Sequence, residues 1–196
     1  MRKLFVGIVM LLSAFIAVQA QEASDFEATN NVVNLNFGPG LVFSDIYEYD
    51  FPKTICHKTS MSLDLSLGYA HTFNSGLGFG LNFIQSHLNA IGKNDYYAGA
   101  SFYYGTFVNN RWHFDISVGL GYARNDYGEQ GSKNGFGLFE QIGAHYKFAK
   151  HWGVGADIHL LSCFYKKPDG WDEITDSDTG FGSKRAALTL GLQYFF

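Results

Sequence analysis

The chain is short of proline, cysteine and charge. Three prolines in 196 residues leave few rigid breaks. Its two cysteines, Cys56 and Cys163, allow at most one internal bridge. Charged side chains make up 16% of the residues and the net charge is −4. That balance offers nothing to a nucleic acid. Beyond the first twenty positions no apolar run approaches the roughly 18 residues of a membrane helix, so helical spans of the mature chain are excluded. No HExxH pattern or other tight metal-ligand spacing occurs.

What is present begins with MRKLFVGIVMLLSAFIAVQA. Arg2 and Lys3 precede an apolar stretch, and Val18 and Ala20 stand where a signal peptidase reads small residues. Residues 1–20 are expected to be a secretory signal peptide rather than a membrane anchor, because the apolar stretch is short for a span. No cysteine sits at the cleavage point, so no lipid-modified terminus is expected. Export exposes Cys56 and Cys163 to an oxidising compartment.

The rest is rich in Gly (23), Phe (19) and Tyr (12), which points to β structure with tight turns and close backbones. Period-2 alternation dominates. VVNLNFGPGLVF, MSLDLSLGYAHTF, LGFGLNF, YYAGASFYYGTFV, WHFDISVGLGYA, FGLFEQIGAHYKF, WGVGADIHL and LTLGLQYFF each place apolar residues on one face, with Glu140 the blemish in the sixth. Eight strands and no helix are predicted. Connections alternate long and short: 44–60 is long, FNSGLG short, SHLNAIGKND longer, VNNR short, RNDYGEQGSKNG long, KFAKH short, and the last, through DEITDSDTG, the longest.

Alternation alone does not say which face is inside. The face opposite the Leu/Phe face carries Gly38, Gly40, Gly68, Gly80, Gly99, Gly119, Gly143 and Gly155 among others, with Ser, Asn and few charges between. A water-facing surface would be richer in Lys and Glu. Gly suits the crowded interior of a barrel of eight strands. The small polar face is therefore read as the lumen and the apolar face as meeting lipid. A soluble barrel of the lipocalin type would reverse the two faces. Aromatics collect at two heights. Trp112, Tyr146, Trp152 and Tyr194 lie near the short turns, and Phe43, Tyr122, Phe136 and Phe164 near the long loops, as two interfacial girdles.

The closing strand LTLGLQYFF, with Leu190, Leu192, Tyr194 and Phe196, resembles the C-terminal insertion signal of bacterial outer-membrane barrels. The architecture of the whole mature chain is similar to the small eight-stranded barrels of the OmpA-barrel, OmpX and OmpW kind, often labelled porin-like. The resemblance implies an all-β, eight-stranded antiparallel up-and-down transmembrane β-barrel in a Gram-negative outer membrane. It implies a periplasmic lead over 21–30, a barrel over 31–196, contact with outer-membrane lipid and lipopolysaccharide, and a monomer delivered by the barrel insertion machinery. It does not select a function, since the family includes adhesins, channels, structural proteins and a few enzymes.

The predicted inward face holds Asp64, Tyr103, Arg111, His113, Asp115, Gln141, His145, Lys147, Asp157, His159, Arg185 and Gln193. Charges in a narrow barrel must pair or keep water. The leading reading is a polar network that makes the barrel rigid. A proton or ion path along the same residues comes second, and a metal site of His113, Asp115 and His145 third. Symmetric pairing of the fifth and sixth strands would set Asp115 against His145 and His113 against Lys147. Neither a metal nor another cofactor is expected. On the lipid side only His71 and Glu140 could serve a lipid-modifying enzyme, and no Ser completes them. Tyr47, Tyr49, Phe51, Tyr127 and Trp171 could bind a partner at the loops or pack loop on loop. The acids of DEITDSDTG read as a solvated loop. Cys56 and Cys163 both fall on the long-loop side, where a disulfide could fold the first loop over the mouth. A non-catalytic envelope, adhesion or loop-binding barrel is ranked first, a narrow passive channel second and an enzyme third.

Overall fold

The computed structural model describes residues 30–44, 46–50, 53–57, 59–126, 133–165 and 182–196. Eight strands form a closed barrel: β1 (Asn31–Val42), β4 (Ser60–Thr72), β5 (Leu77–Leu88), β6 (Lys93–Val108), β7 (Trp112–Asn125), β8 (Lys133–Lys147), β9 (Trp152–Tyr165) and β10 (Gly182–Phe195). Every neighbour pair is antiparallel, and β1 closes the ring on β10. Two short strands, β2 (Ile46–Asp50) and β3 (Lys53–His57), pair as a separate hairpin within the first long connection. The sequence pattern predicts a loop over that segment. Its signal is the β-prone alternation of Tyr47 and Tyr49 and the branched pair Thr54 and Ile55. Residues 1–20 and almost all of 21–30 lie outside the described residues, as do Phe51, Tyr127, Trp171 and the DEITDSDTG segment.

The short turns follow their residue chemistry. Val108-Asn109-Asn110-Arg111 closes β6 on β7 with φ of 53° and 54° at the two asparagines. Two successive left-handed residues make a type I′ turn, whose twist matches that of the strands it joins. Gly76, at φ 82°, ends the turn from β4 to β5. At the other end, the expected longer loop SHLNAIGKND contracts to Asn89–Gly92, where Gly92 N–H donates to the Leu88 carbonyl at 2.9 Å. The strands run further than expected because their alternation continues in polar residues: Ser86 and Asp95 point inward and are fully buried.

The two faces are chemically opposite. Outward side chains include Phe102 at 74% exposure, Leu190 at 69% and Leu120 at 63%. Inward side chains include fully buried Asp64, Asp95, His145 and Arg185. An apolar outside around a polar inside is stable only when hydrocarbon surrounds the ring. The girdles form as aromatic contacts. Trp112 meets Tyr146 and Trp152 meets Tyr194 at the turn end, with ring centroids 5.3 and 4.9 Å apart. Phe136 stacks on Phe164 at the loop end at 4.9 Å. Arg111 sits at the turn end, exposed, and its Nη1 donates to the Tyr146 hydroxyl at 2.9 Å. Its expected place in the lumen is therefore corrected. As the last turn residue before β7 it lies beyond the barrel, where its charge reaches the interface.

Glu140 lies halfway along β8 on the outward face, with Val118 and Leu160 as cross-strand neighbours. A carboxylate there is unfavourable in hydrocarbon. Glu140→Leu is expected to raise the urea midpoint of the barrel folded in phospholipid vesicles. Leu120→Arg, on the same belt, is expected to lose about 2–4 kcal/mol in the same titration.

Candidate functional site

The candidate site is the barrel interior. Close packing across the ring decides which polar groups meet there. Two clusters result, which meet where His159 of the first faces Gln141 of the second across β8 and β9.

The loop-end cluster centres on Arg185 of β10. Its Nη1 donates to Asp95 Oδ2 at 2.7 Å, and its Nε stands 3.6 Å from Asp64 Oδ2. Ser183 donates to Asp95 at 2.5 Å and Tyr165 at 3.1 Å. His159 Nε2 approaches Asp64 Oδ2 at 2.9 Å. One guanidinium thus binds carboxylates from β4 and β6 and ties them to β9 and β10. The sequence pattern predicts a loop at Asp95, whereas β6 carries it into the barrel. The signal was available: Asp95 shares its odd register with Tyr97, Gly99, Ser101 and Tyr103.

Beside this cluster lies the apolar layer of Ile84, Tyr97, Ala123, Phe139, Leu161, Cys163 and Tyr165. Cys163 is 1% exposed and its thiol is free. The expected bridge to Cys56 is therefore corrected. Cys163 points into the packed wall of aromatic rings rather than toward the mouth. The side chain of Cys56 lies outside the described residues.

The turn-end cluster contains His113 and Asp115 of β7, Gln141 and His145 of β8, Asp157 of β9 and Gln193 of β10. Asp115 and Asp157 flank Gly143 in one cross-strand row, as Asp115↔Gly143↔Asp157. A Cβ on Gly143 would fall 2.3 Å from Asp157 Oδ1 and 2.7 Å from Asp115 Oδ2, so the missing side chain is what lets the carboxylates converge. Gln141 Nε2 donates to Asp157 Oδ1 at 2.8 Å and to Asp115 Oδ1 at 3.4 Å. His145 stands between the acids, with Nδ1 3.5 Å from Asp115 Oδ2 and Nε2 3.2 Å from Asp157 Oδ2. His113 Nδ1 meets Gln193 Oε1 at 3.0 Å, and Gln193 Nε2 donates to Asp115 Oδ2 at 3.2 Å. Tyr103 reaches His113 Nε2 at 3.5 Å. Lys147 lies below, its ammonium 5.1 Å from the ring centres of both Phe107 and Phe195.

The cross-strand register differs from the symmetric one by two residues. His113 faces His145 and Asp115 faces Gly143, because the loop between β7 and β8 sets the pairing and its length does not announce where the strands start. Asp115 still reaches His145, diagonally. On the outer face, His71 Nδ1 pairs with Asn31 Oδ1 at 3.0 Å rather than with a carboxylate. His71 on β4 and Glu140 on β8 stand on opposite sides of the ring.

These contacts carry two expectations. Arg185→Met leaves Asp64 and Asp95 without their cation and is expected to destabilise the barrel by about 3–5 kcal/mol in urea unfolding. Adding Asp95→Asn should recover part of the loss. In a Cys56→Ser background, Cys163 should resist an aqueous thiol reagent in the folded barrel and react fully once unfolded. Fast labelling of the folded form would mean that the apolar layer is open.

A family model described as the outer membrane protein β-barrel domain matches residues 8–196. No curated protein matches the chain. Among solved structures, Neisserial surface protein A (NspA) superposes with a TM-score of 0.62 at 13% identity, over 87% of this chain and 100% of that one. OprG from Pseudomonas aeruginosa gives a TM-score of 0.50 at 12% identity, over 86% and 97%. The outer membrane enzyme PagL gives 0.45 at 17% identity, over 82% and 97%. At such identities the likeness is one of fold.

Proposed function

Because the chain belongs to the outer membrane protein β-barrel family, and so resides in the bacterial outer membrane, we propose that it works there as a non-catalytic barrel, a rigid ring that carries its loops for adhesion, binding or envelope support. The observation that carries this reading is the filled interior. Tyr97, Phe139, Leu161, Arg185 and Phe195 are each at most 1% exposed. A ring of eight strands has room for side chains and little more. The rings and side chains packed around Tyr97 and Phe139 fill much of the section, and this weighs against a passive channel. The opposed positions of His71 and Glu140 weigh against catalysis on the lipid face. Lipid surrounds the apolar belt, lipopolysaccharide meets the loop end, and one copy suffices because the eight strands of the barrel leave no edge open to lipid.

The folded, purified protein should give no discrete conductance steps in a planar bilayer, with or without reductant. Regular steps in the wild type would replace this reading with a pore. Steps that appear only in Phe139→Ala or Tyr97→Ala would support it, by showing that the packed layer is what closes the ring.

A further inference from the structure

We propose that the turn-end cluster binds one divalent transition-metal ion of the zinc kind, held by His113, Asp115 and His145. The ligand atoms of these three residues all lie within 4.8 Å of one another. Asp115 Oδ2 is the hub, 3.6 Å from His113 Nδ1 and 3.5 Å from His145 Nδ1. A tetrahedron with zinc–ligand bonds of ~2.0–2.2 Å has edges of ~3.3–3.6 Å between its ligand atoms. Both separations fit such an edge.

A second observation points independently to a ligand. His145 is fully buried, and although its ring nitrogens stand 3.5 and 3.2 Å from Asp115 and Asp157, neither contact has the geometry of a hydrogen bond. Asp157 Oδ2, beside the ring, has no hydrogen-bond partner either. Buried polar atoms are seldom left this way, and an ion at Nδ1 would satisfy the ring. The orientation of both imidazoles agrees. Each turns Nδ1 toward Asp115 and Nε2 toward an oxygen, which is Asp157 Oδ2 at 3.2 Å for His145 and the Tyr103 hydroxyl at 3.5 Å for His113. That is the arrangement in which an outer carboxylate or hydroxyl sets the tautomer of a metal-bound histidine. Gln141 holds Asp115 Oδ1, and the ion would take Oδ2 in place of the Gln193 Nε2 donor now 3.2 Å from it, which turns that amide to present its oxygen. Gln193 Oε1, 3.0 Å from His113 Nδ1, is placed as the fourth ligand. Two nearby carboxylates balance a dication in a site sealed from water. The donor set, imidazole with carboxylate oxygen, suits zinc rather than calcium or a soft thiophilic metal. The strands that supply it are β7, β8 and β10, so the ion would join three parts of the ring.

The test refolds the urea-unfolded, chelator-stripped protein into detergent with Co2+, the spectroscopic stand-in for zinc. One equivalent per barrel should be retained, with the intense visible absorption of tetrahedral Co2+, and Zn2+ should displace it. His145→Gln and Asp115→Asn should each abolish that spectrum, whereas His87→Gln, at the loop end of β5, should not. Circular dichroism establishes that each variant has folded. If the ligand variants do not fold, X-ray absorption of the zinc-loaded wild type decides, with two imidazoles expected in the first shell. Failure of the wild type to retain Co2+, a weak octahedral spectrum, a spectrum that survives loss of His145, or a zinc shell with fewer than two imidazoles would each overturn the proposal. Any of these results would return the cluster to a plain ion-pair network and leave the reading of a non-catalytic barrel intact.

Discussion

In hydrocarbon, a backbone N–H or C=O has no water to bond, and everything else in this molecule follows from that constraint. It demands a ring without edges, which β1 supplies by pairing with β10 on one side and β4 on the other. Closure with eight strands makes the ring narrow. A narrow ring has little space for its inward side chains, so the sequence alternates bulk with none. Asp115 and Asp157 approach each other because Gly143 stands between them, and the His145 ring fits where a Cβ on Gly155 would come within 2.6 Å of its Cδ2. Glycine here makes room for chemistry rather than for a bend.

The buried charges are the other side of that economy. Four inward carboxylates, Asp64, Asp95, Asp115 and Asp157, share a water-poor interior with Arg185, Lys147 and three histidines. Most of these groups approach partners from other strands, so the network spreads the constraint around the ring. The contacts run far along the chain: His159 to Asp64 spans 95 residues and Arg185 to Asp95 spans 90. A polar interior of this kind specifies one register, since a slip of a single residue would turn every charge into lipid.

Strand number, the alternating faces and the girdles were legible in the sequence because a period of two is written residue by residue. Asp64, His113, Asp115, His145, Asp157, His159 and Arg185 were readable as inward for the same reason. What was not legible depended on partners. The offset between β7 and β8 rests on a connection whose residues do not announce where pairing resumes. The free state of Cys163 depends on Tyr97 and Phe139 closing around it, and they come from β6 and β8. Asp95 was mistaken for loop because polar strand residues at the mouth lose the apolar contrast on which the reading relied. The β2–β3 hairpin escaped for its shortness.

Pro39 has a consequence for how the ring could come apart. The pairing of β1 with β10 covers Val32–Phe37 and resumes at Gly40, skipping Gly38 and Pro39, while the side toward β4 runs without a gap. Proline has no N–H to give a ladder. The wall therefore has a meridian stitched in two short runs among seams stitched in one. A crack started at either rim would travel along that line, meeting only a few bonds before the gap, which makes the join of the first and last strands the place where the ring is easiest to open.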